Sequence, residues 1–245
     1  MKQEWYPQNK EDLNQLLENF LSSTNKTSLP QSISINGLIV PHAGYKFSGK
    51  IAGKAFSLLK NKEIKKAIIL SPSHYEAFYG VASLSKIKTP LGEVSIVDNT
   101  YPKLKYEHAI DNQIPFLQKI GIKKVLPLVI GELSKTDSEK IAEEINRLIK
   151  NQKEKTVIIA STDLSHFLPY NSAVEIDKRT IEIIENSEIQ RWEQIDACGK
   201  YPLLILIYLC KKNNWHPRLI EYKNSGDIMP ETKYQGVVGY ASFYF

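Results

Sequence analysis

The residues of this chain that can do chemistry are few, and their placement is regular. Among 245 residues there are five histidines and two cysteines. His42 stands in Pro41-His42-Ala43-Gly44-Tyr45, His74 in Ser71-Pro72-Ser73-His74, and His166 in Ser161-Thr162-Asp163-Leu164-Ser165-His166. Each of the three follows a short apolar run. Imidazole titrates near neutral pH, so it serves as a proton carrier, and as a neutral ring it is the commonest metal ligand. Asp163 lies three residues before His166. If the turn between them is helical they share a face, where a carboxylate orients an imidazole or both contact one ion. Cys198, in Asp196-Ala197-Cys198-Gly199-Lys200, reads as a thiolate of lowered pKa or a soft metal ligand at a helix boundary.

Each of these readings has a plainer competitor. His42 and His74 also suit hydrogen-bonded turns, and Asp163 suits a helix N-cap followed by an exposed His166. Glu107-His108 opens a helix, where a carboxylate is expected for dipole reasons alone. Cys210 reads as a packed core residue and His216, before Pro217, as a turn residue. The chain has no CxxC pair, HExxH, GxSxG or GxxxxGK[ST], which argues against zinc-finger, zincin, serine-hydrolase and P-loop chemistry.

The elements that must position these residues are legible from periodicity. Leu13, Leu16, Leu17, Phe20 and Leu21 predict a helix over 11–21, followed by a polar loop from Ser22 to Ser28. Buried strands are expected at 38–40, 67–70, 125–130 and 157–160, with Pro127 tolerable only at an edge or bulge. Helices are expected near 49–60, 108–119, 172–185, 189–196 and 201–212. Pro115 either kinks the 108–119 segment or marks its true start. Thr136 and Glu139 form a capping-box pattern for another helix carrying Ile141, Ile145, Leu148 and Ile149. Segments 79–87 and 93–97 suggest a hairpin or edge pair around Thr89-Pro90-Leu91-Gly92. The last strands are expected at 217–222 and 235–244. Strand–helix–strand alternation predicts a single α/β domain over 1–245, with a mixed, largely parallel central sheet and helices on both faces. Ligands of such sheets bind outside the carboxyl ends of the strands, where three of the five histidines fall.

Composition narrows the function classes. Hydrophobic residues make up 42% and charged residues 24%, which excludes disordered and disulfide-scaffold classes. The formal charge of +5 is scattered among lysines such as Lys60, Lys62, Lys65 and Lys66, without the basic stripe of a nucleic-acid protein. The apolar run 203–209 falls far short of the roughly 20 residues that cross a bilayer, and Met1 to Trp5 carry no apolar core of a secretory signal. Two cysteines twelve positions apart suggest free thiols in a reducing compartment. A cytoplasmic protein without nucleic-acid or membrane partners is the expectation.

Taken jointly, the motifs resemble those of the Memo family. Pro41-His42-Ala43-Gly44-Tyr45-Lys46-Phe47-Ser48-Gly49 is similar to its N-terminal signature. Ser71-Pro72-Ser73-His74, Glu107-His108, Gln113-Ile114-Pro115-Phe116-Leu117, Ser161-Thr162-Asp163-Leu164-Ser165-His166 and Ala197-Cys198-Gly199 follow in that family's order. The resemblance implies an α/β domain like that of class III extradiol dioxygenases, which are non-haem iron enzymes. It implies a cleft lined by His42, His74, His166 and Cys198. His42 and His74 would correspond to the dioxygenases' metal-binding histidines, with Cys198 or His166 completing the ligand set. His166 would match their acid/base histidine, with Asp163 as its neighbour. The dioxygenases add a glutamate to two imidazoles to hold Fe(II); here Cys198 stands near the site instead. A thiolate is softer and shifts preference toward copper, zinc or a differently tuned iron.

Two functions follow as expectations. One is metal-dependent redox chemistry on an unknown small molecule, with Fe(II), copper or zinc as the ion. In it, His166, Asp163 and Cys198 are the catalytic residues. The other is a module, with no ion required, that binds a peptide or protein through the same cleft, using aromatics such as Tyr45, Phe47, Tyr75 and Phe167. The resemblance also implies functional association with a radical-SAM protein and an AMMECR-type protein.

Overall fold

The computed structural model describes residues 5–22, 34–151 and 154–245. Most of the polar loop expected after Ser22, and residues 1–4, lie outside the described residues. In chain order the elements are α1 (Lys10–Ser22), β1 (Gly37–Val40), α2 (Tyr45–Ser57), β2 (Lys66–Pro72) and β3 (Val81–Leu84). Four two-residue strands follow: β4 (Lys88–Thr89), β5 (Gly92–Glu93), β6 (Ser95–Ile96) and β7 (Lys103–Leu104). Then come α3 (His108–Asp111), α4 (Ile114–Lys119), β8 (Lys124–Ile130), α5 (Lys135–Lys150), β9 (Thr156–Ser161) and α6 (Tyr170–Glu185). The chain ends with α7 (Lys200–Asn213), β10 (Arg218–Asn224), α8 (Ser225–Ile228) and β11 (Gly239–Tyr244).

Strand alternation sorts the core. A strand sends successive side chains to opposite faces, so a continuously apolar strand needs cover on both sides. Leu38, Val40, Ala67, Ile69, Val157 and Ile159 pack with Leu13 and Leu17 of α1, Phe56 of α2 and Phe116 of α4. Ile39, Ile68, Leu70, Ile158 and Ala160 pack with Ile145 of α5, Ile184 of α6 and Leu203 and Leu206 of α7. Helices therefore cover both faces, and Cys210 is fully buried among the second set.

The large sheet runs β10-β11-β1-β9-β2-β8-β3-β7, with β6 also paired to β8. Its centre is parallel: β1 pairs with β9, β9 with β2, and β2 with β8. The antiparallel pairs are β1 with β11, β10 with β11, and β3 with β8. This is the mixed, largely parallel sheet expected. Its consequence for function is local: β1, β9 and β2 lie side by side and end at one edge, each running into a segment that carries a histidine.

Several expectations need physical correction. Pro127 is not at an edge. It pairs opposite Ile69 of β2, and on its other flank the pairing of β6 stops at Val125 and that of β3, running the other way, stops at Leu128. The missing N–H of proline thus falls in the gap between two short neighbours. The helix expected from 49 starts at Tyr45, because Gly44 is extended at the helix entrance and Trp5 O accepts the Tyr45 N–H at 2.8 Å. Ser134, not Thr136, caps α5: its Oγ accepts from Asp137 N, leaving Thr136 inside the helix. The segment 108–119 forms two short helices, with Pro115 in the first turn of the second. The hairpin at 88–93 forms, but its flanking segments pair with opposite ends of β8 rather than with each other. Residues 189–194 form a 3-10 helix. The last strand begins only at Gly239, since Gly236 has φ +88° and Val237 bridges to Leu168.

One close approach sets the position of α7. A Cβ added to Gly199 would stand 2.6 Å from Cβ and Oγ1 of Thr162, just past β9, and Gly199 N donates to that Oγ1 at 2.9 Å. Thr162 is β-branched and part of the strand end, so it cannot swing aside. Gly199→Ala is expected to lower stability by ~1–3 kcal/mol, as overpacking does, measured by chemical denaturation.

Candidate functional site

The site is built where those strand ends meet the starts of α3 and α7. His42 leaves β1 two residues beyond its last paired position, and its backbone is held on both sides. Asp163 Oδ1 accepts its N–H at 2.8 Å and that of Ala43 at 3.3 Å, and Asn112 Nδ2 donates to its carbonyl at 2.6 Å. The ring is fixed by Ser161, the last residue of β9, whose Oγ lies 3.0 Å from His42 Nδ1. Ser161 has one proton, and it donates that proton to Ala109 O at 2.6 Å. Gln113 Nε2 donates to the same Oγ at 2.9 Å. The hydroxyl oxygen can therefore only accept from His42, which assigns the proton to Nδ1 and leaves Nε2 with a free lone pair. Burial, followed by the nearby His74 and His108 rings, holds the His42 pKa well below the usual histidine value. The ring is thus neutral at physiological pH.

His74 is fixed by the same logic from another element. Glu107 accepts His74 N at 2.7 Å through Oε2 and His74 Nδ1 at 2.9 Å through Oε1. Oε1 also accepts Ala109 N at 2.9 Å, capping α3. Burial alone would raise the Glu107 carboxyl. The His108 ring 3.2 Å away, the hydrogen bond from the His74 side chain and those from the Ala109 and His74 backbone outweigh it and hold the pKa well below the carboxylate range. A carboxylate accepts only, so His74 Nδ1 is the donor, and in the neutral ring the lone pair is on Nε2.

Cys198 precedes the α7 N-cap Gly199, and its Sγ lies 3.3 Å from His42 Nε2. Asp163 N donates to the same sulfur at 3.2 Å. Burial, then the Asp163 carboxylate, pushes the thiol up to about 12. A depressed imidazole beside a raised thiol is a neutral pair. It is not the thiolate–imidazolium pair of a cysteine nucleophile. One potential ligand atom each from His42, His74 and Cys198 falls within 4.8 Å of the others.

His166 and Asp163 are placed differently from the shared-face expectation. The segment 162–166 is not helical, and Asp163 spends Oδ1 on the His42 and Ala43 backbone, with Oδ2 4.0 Å from His42 Nε2. No hydrogen bond joins it to His166 among the described residues. His166 lines the same cleft, half-buried, with its ring edge-on to Phe167 at 5.8 Å. Of the expected recognition aromatics, Phe47 lines the cleft, and Tyr75 and Phe167 are exposed. Tyr45 is buried, with its hydroxyl donating to Asn112 O.

Sequence reasoning under-read two residues. Glu107 does cap a helix, but the same carboxylate orients His74. His108 brings a third ring to the cluster, centred 4.4 Å from His74 and 5.4 Å from His42, and stacked on Trp5 at 4.2 Å. Its Nδ1 lies 3.2 Å from Glu107 Oε1 without hydrogen-bond alignment. The adjacency of an acid and a histidine at a helix start was the available signal. The cleft measures about 1140 Å³ and is walled by Trp5, Tyr6, Phe47, Phe167 and Tyr240 among others.

Residues 3–244 match the family described as Memo-like protein. The chain belongs to the Memo family. It is similar to a MEMO1 family protein of Sulfurisphaera tokodaii, with 33% identity over 244 residues covering 88% of this chain and 85% of the relative. A MEMO1 family protein of Archaeoglobus fulgidus is 31% identical over 262 residues, covering 98% and 96%. One from Sulfolobus acidocaldarius is 32% identical over 241 residues, covering 88% and 84%. No helix of this Memo chain, among the described residues, is long and apolar enough to cross a membrane.

The carboxylate of Glu107 gives the Memo site a pH signature. Its folded pKa lies below the unfolded value of about 4.3, so its contribution is present above that value and lost as pH falls toward the folded pKa. Glu107→Gln is expected to cost ~1–3 kcal/mol at pH 7. The gap to wild type should shrink as the pH is lowered below about 4, followed by urea denaturation at several pH values.

Proposed function

We propose that this protein is a metal-dependent redox enzyme whose ion is held by His42 Nε2, His74 Nε2 and Cys198 Sγ. The observation that carries this reading is the pair of fixed tautomers. Ser161 and Glu107 each occupy an Nδ1, so in the neutral rings both Nε2 lone pairs are left beside one thiol. Two imidazoles and a sulfur suit iron, copper or zinc better than a hard cation. When bound, such an ion supplies Lewis acidity and, if iron or copper, one-electron chemistry.

The protein's own residues do the rest. Ser161 and Glu107 hold the rings and raise their basicity as ligands. Asp163 keeps the His42–Ala43 backbone against the end of β9. His166, in the wall of the same cleft, carries protons to and from a substrate there, and the aromatic walls exclude water. The substrate is a small molecule that fits a cleft of about 1140 Å³.

Purified protein loaded with Fe(II) under anaerobic conditions is expected to carry near-stoichiometric metal. His42→Ala and His74→Ala should lose most of it, and His166→Ala should keep it; equal content in all of them would refute the assignment. Because the thiol is protonated until an ion displaces its proton, affinity should rise about tenfold per pH unit near neutrality. Cys198→Ser should flatten that slope, as read by competition with a chromophoric chelator.

One observation favours a second reading, in which the cleft holds a peptide. Phe167 is 76% exposed with φ +57°, and Tyr75, 55% exposed, sets its ring edge-on to His108 of the cleft at 5.5 Å. A bulky residue held in the left-handed region is a mark of functional strain. On this reading, Phe167→Ala abolishes capture of a radical-SAM or AMMECR-type partner in a pull-down while leaving metal content unchanged.

A further inference from the structure

Tyr240 is the second residue of β11 and has no role in the site described so far. It is only 3% exposed, yet it lines the cleft together with Asp163 and His166. Its neighbours in the core have their polar atoms committed. The buried Tyr45 hydroxyl donates to Asn112 O, the Tyr6 hydroxyl to Asp111, and the Tyr222 hydroxyl to Asp177. The Tyr240 hydroxyl donates to no protein atom among the described residues. Nor is it one of the atoms sealed inside the protein without a partner. What little of this side chain remains accessible therefore includes the hydroxyl, which opens on the cleft.

A buried phenol normally finds a hydrogen-bond partner, because leaving it without one costs about 1–3 kcal/mol. Here the missing partner lies on the side from which a ligand arrives. The fold presents the residue rigidly: Tyr240 pairs with Lys223 across β10. The preceding Gly239 exchanges two backbone hydrogen bonds with the His166 loop, Leu164 N to Gly239 O and Gly239 N to Ser165 O. The phenol and His166 are thus carried on one braced unit. Burial, then the Asp163 charge, raises the Tyr240 pKa above its ordinary value, so the hydroxyl stays protonated and acts as a donor.

We infer that Tyr240 is a substrate-contacting residue that donates a hydrogen bond to an oxygen acceptor, a carbonyl or carboxylate, on an aromatic or otherwise apolar ligand in the cleft. Trp5, Phe47 and Phe167 supply the apolar walls for the body of such a ligand. The inference rests on the cleft being a ligand site, as proposed above, but not on the ion, since the phenol belongs to the protein.

Three probes of one shape separate the contact from general packing: 4-fluorobenzamide, 4-fluorobenzoate and 4-fluorotoluene. Their affinities for wild type and Tyr240→Phe are measured by 19F NMR titration of chelator-treated protein and of Fe(II)-loaded protein. In Tyr240→Phe the amide should bind about 3–10-fold more weakly and the carboxylate about 10–100-fold more weakly, with fluorotoluene unchanged. The same differences should appear without metal, so failure of the metal assignment would leave them intact. In wild type carrying 13Cζ-tyrosine, one buried tyrosine signal should move with the amide and not with fluorotoluene, and that signal should be missing in Tyr240→Phe. Equal loss for all three probes, no loss for any, or no binding of amide and carboxylate to wild type would overturn the inference.

Discussion

The hydroxyl of Ser161 is the point on which the arrangement of the site turns. It closes the central strand of three parallel neighbours, and its single proton goes to Ala109 O. From that choice follows the tautomer of His42, and with it the direction of the one lone pair that faces Cys198. The same oxygen accepts from Gln113, whose amide also donates to Pro41 O. One buried hydroxyl thereby ties β9 to the exit of β1 and to the turn between α3 and α4. Buried polar groups are costly unless satisfied, so this small network holds its members in one geometry. Glu107 repeats the device for His74 with a charged acceptor, which makes its hydrogen bonds stronger.

Much of the fold was legible in local sequence because the signals are local. Four apolar strands, each bounded by a polar turn, can only be buried on both faces, and the alternation of Leu38, Ile39 and Val40 already contains the division between the two cores. The errors arose where a neighbour in space decides. Nothing near Pro127 in the chain shows that the pairings of β6 and β3 stop on either side of it. Ser134 outcompetes Thr136 as a cap because the helix begins two residues earlier than the Thr-x-x-Glu spacing suggests.

The site divides along the same line. That His42, His74, His166 and Cys198 share a cleft was suggested by the strand ends and the family motifs, and the chain does bring the first two together with Cys198. What periodicity could not reveal is which polar group holds which ring. His42 and Ser161 are 119 positions apart, and Cys198 and His42 are 156 apart. A spacing of three residues suggested that Asp163 serves His166; instead its carboxylate reaches over to the His42 backbone at the end of the neighbouring strand. Short-range spacing carries information about shared faces only when the intervening backbone is helical, and between Asp163 and His166 it is not.

The commitment of both nearby carboxylates bears on what the cleft can hold. Glu107 has both oxygens engaged by nitrogen donors, and Asp163 is bound to two backbone N–H groups. Glu107 cannot turn to face an ion without leaving buried donors unpaired, at a cost of about 1–3 kcal/mol for each, whereas Asp163 spends only Oδ1 and keeps Oδ2, 4.0 Å from His42 Nε2, free of hydrogen bonds among the described residues. In the proposed reading Cys198 supplies the anionic ligand and with it the site's softness, while Glu107 is spent on holding His74. Asp163 can give up its Oδ1 contacts only by loosening the loop that presents His42. In the proposed reading the thiol ligand and the carboxylates that brace the strand ends are thus parts of one arrangement, and removing Asp163 Oδ1 from the backbone would separate His42 from the groups beside it.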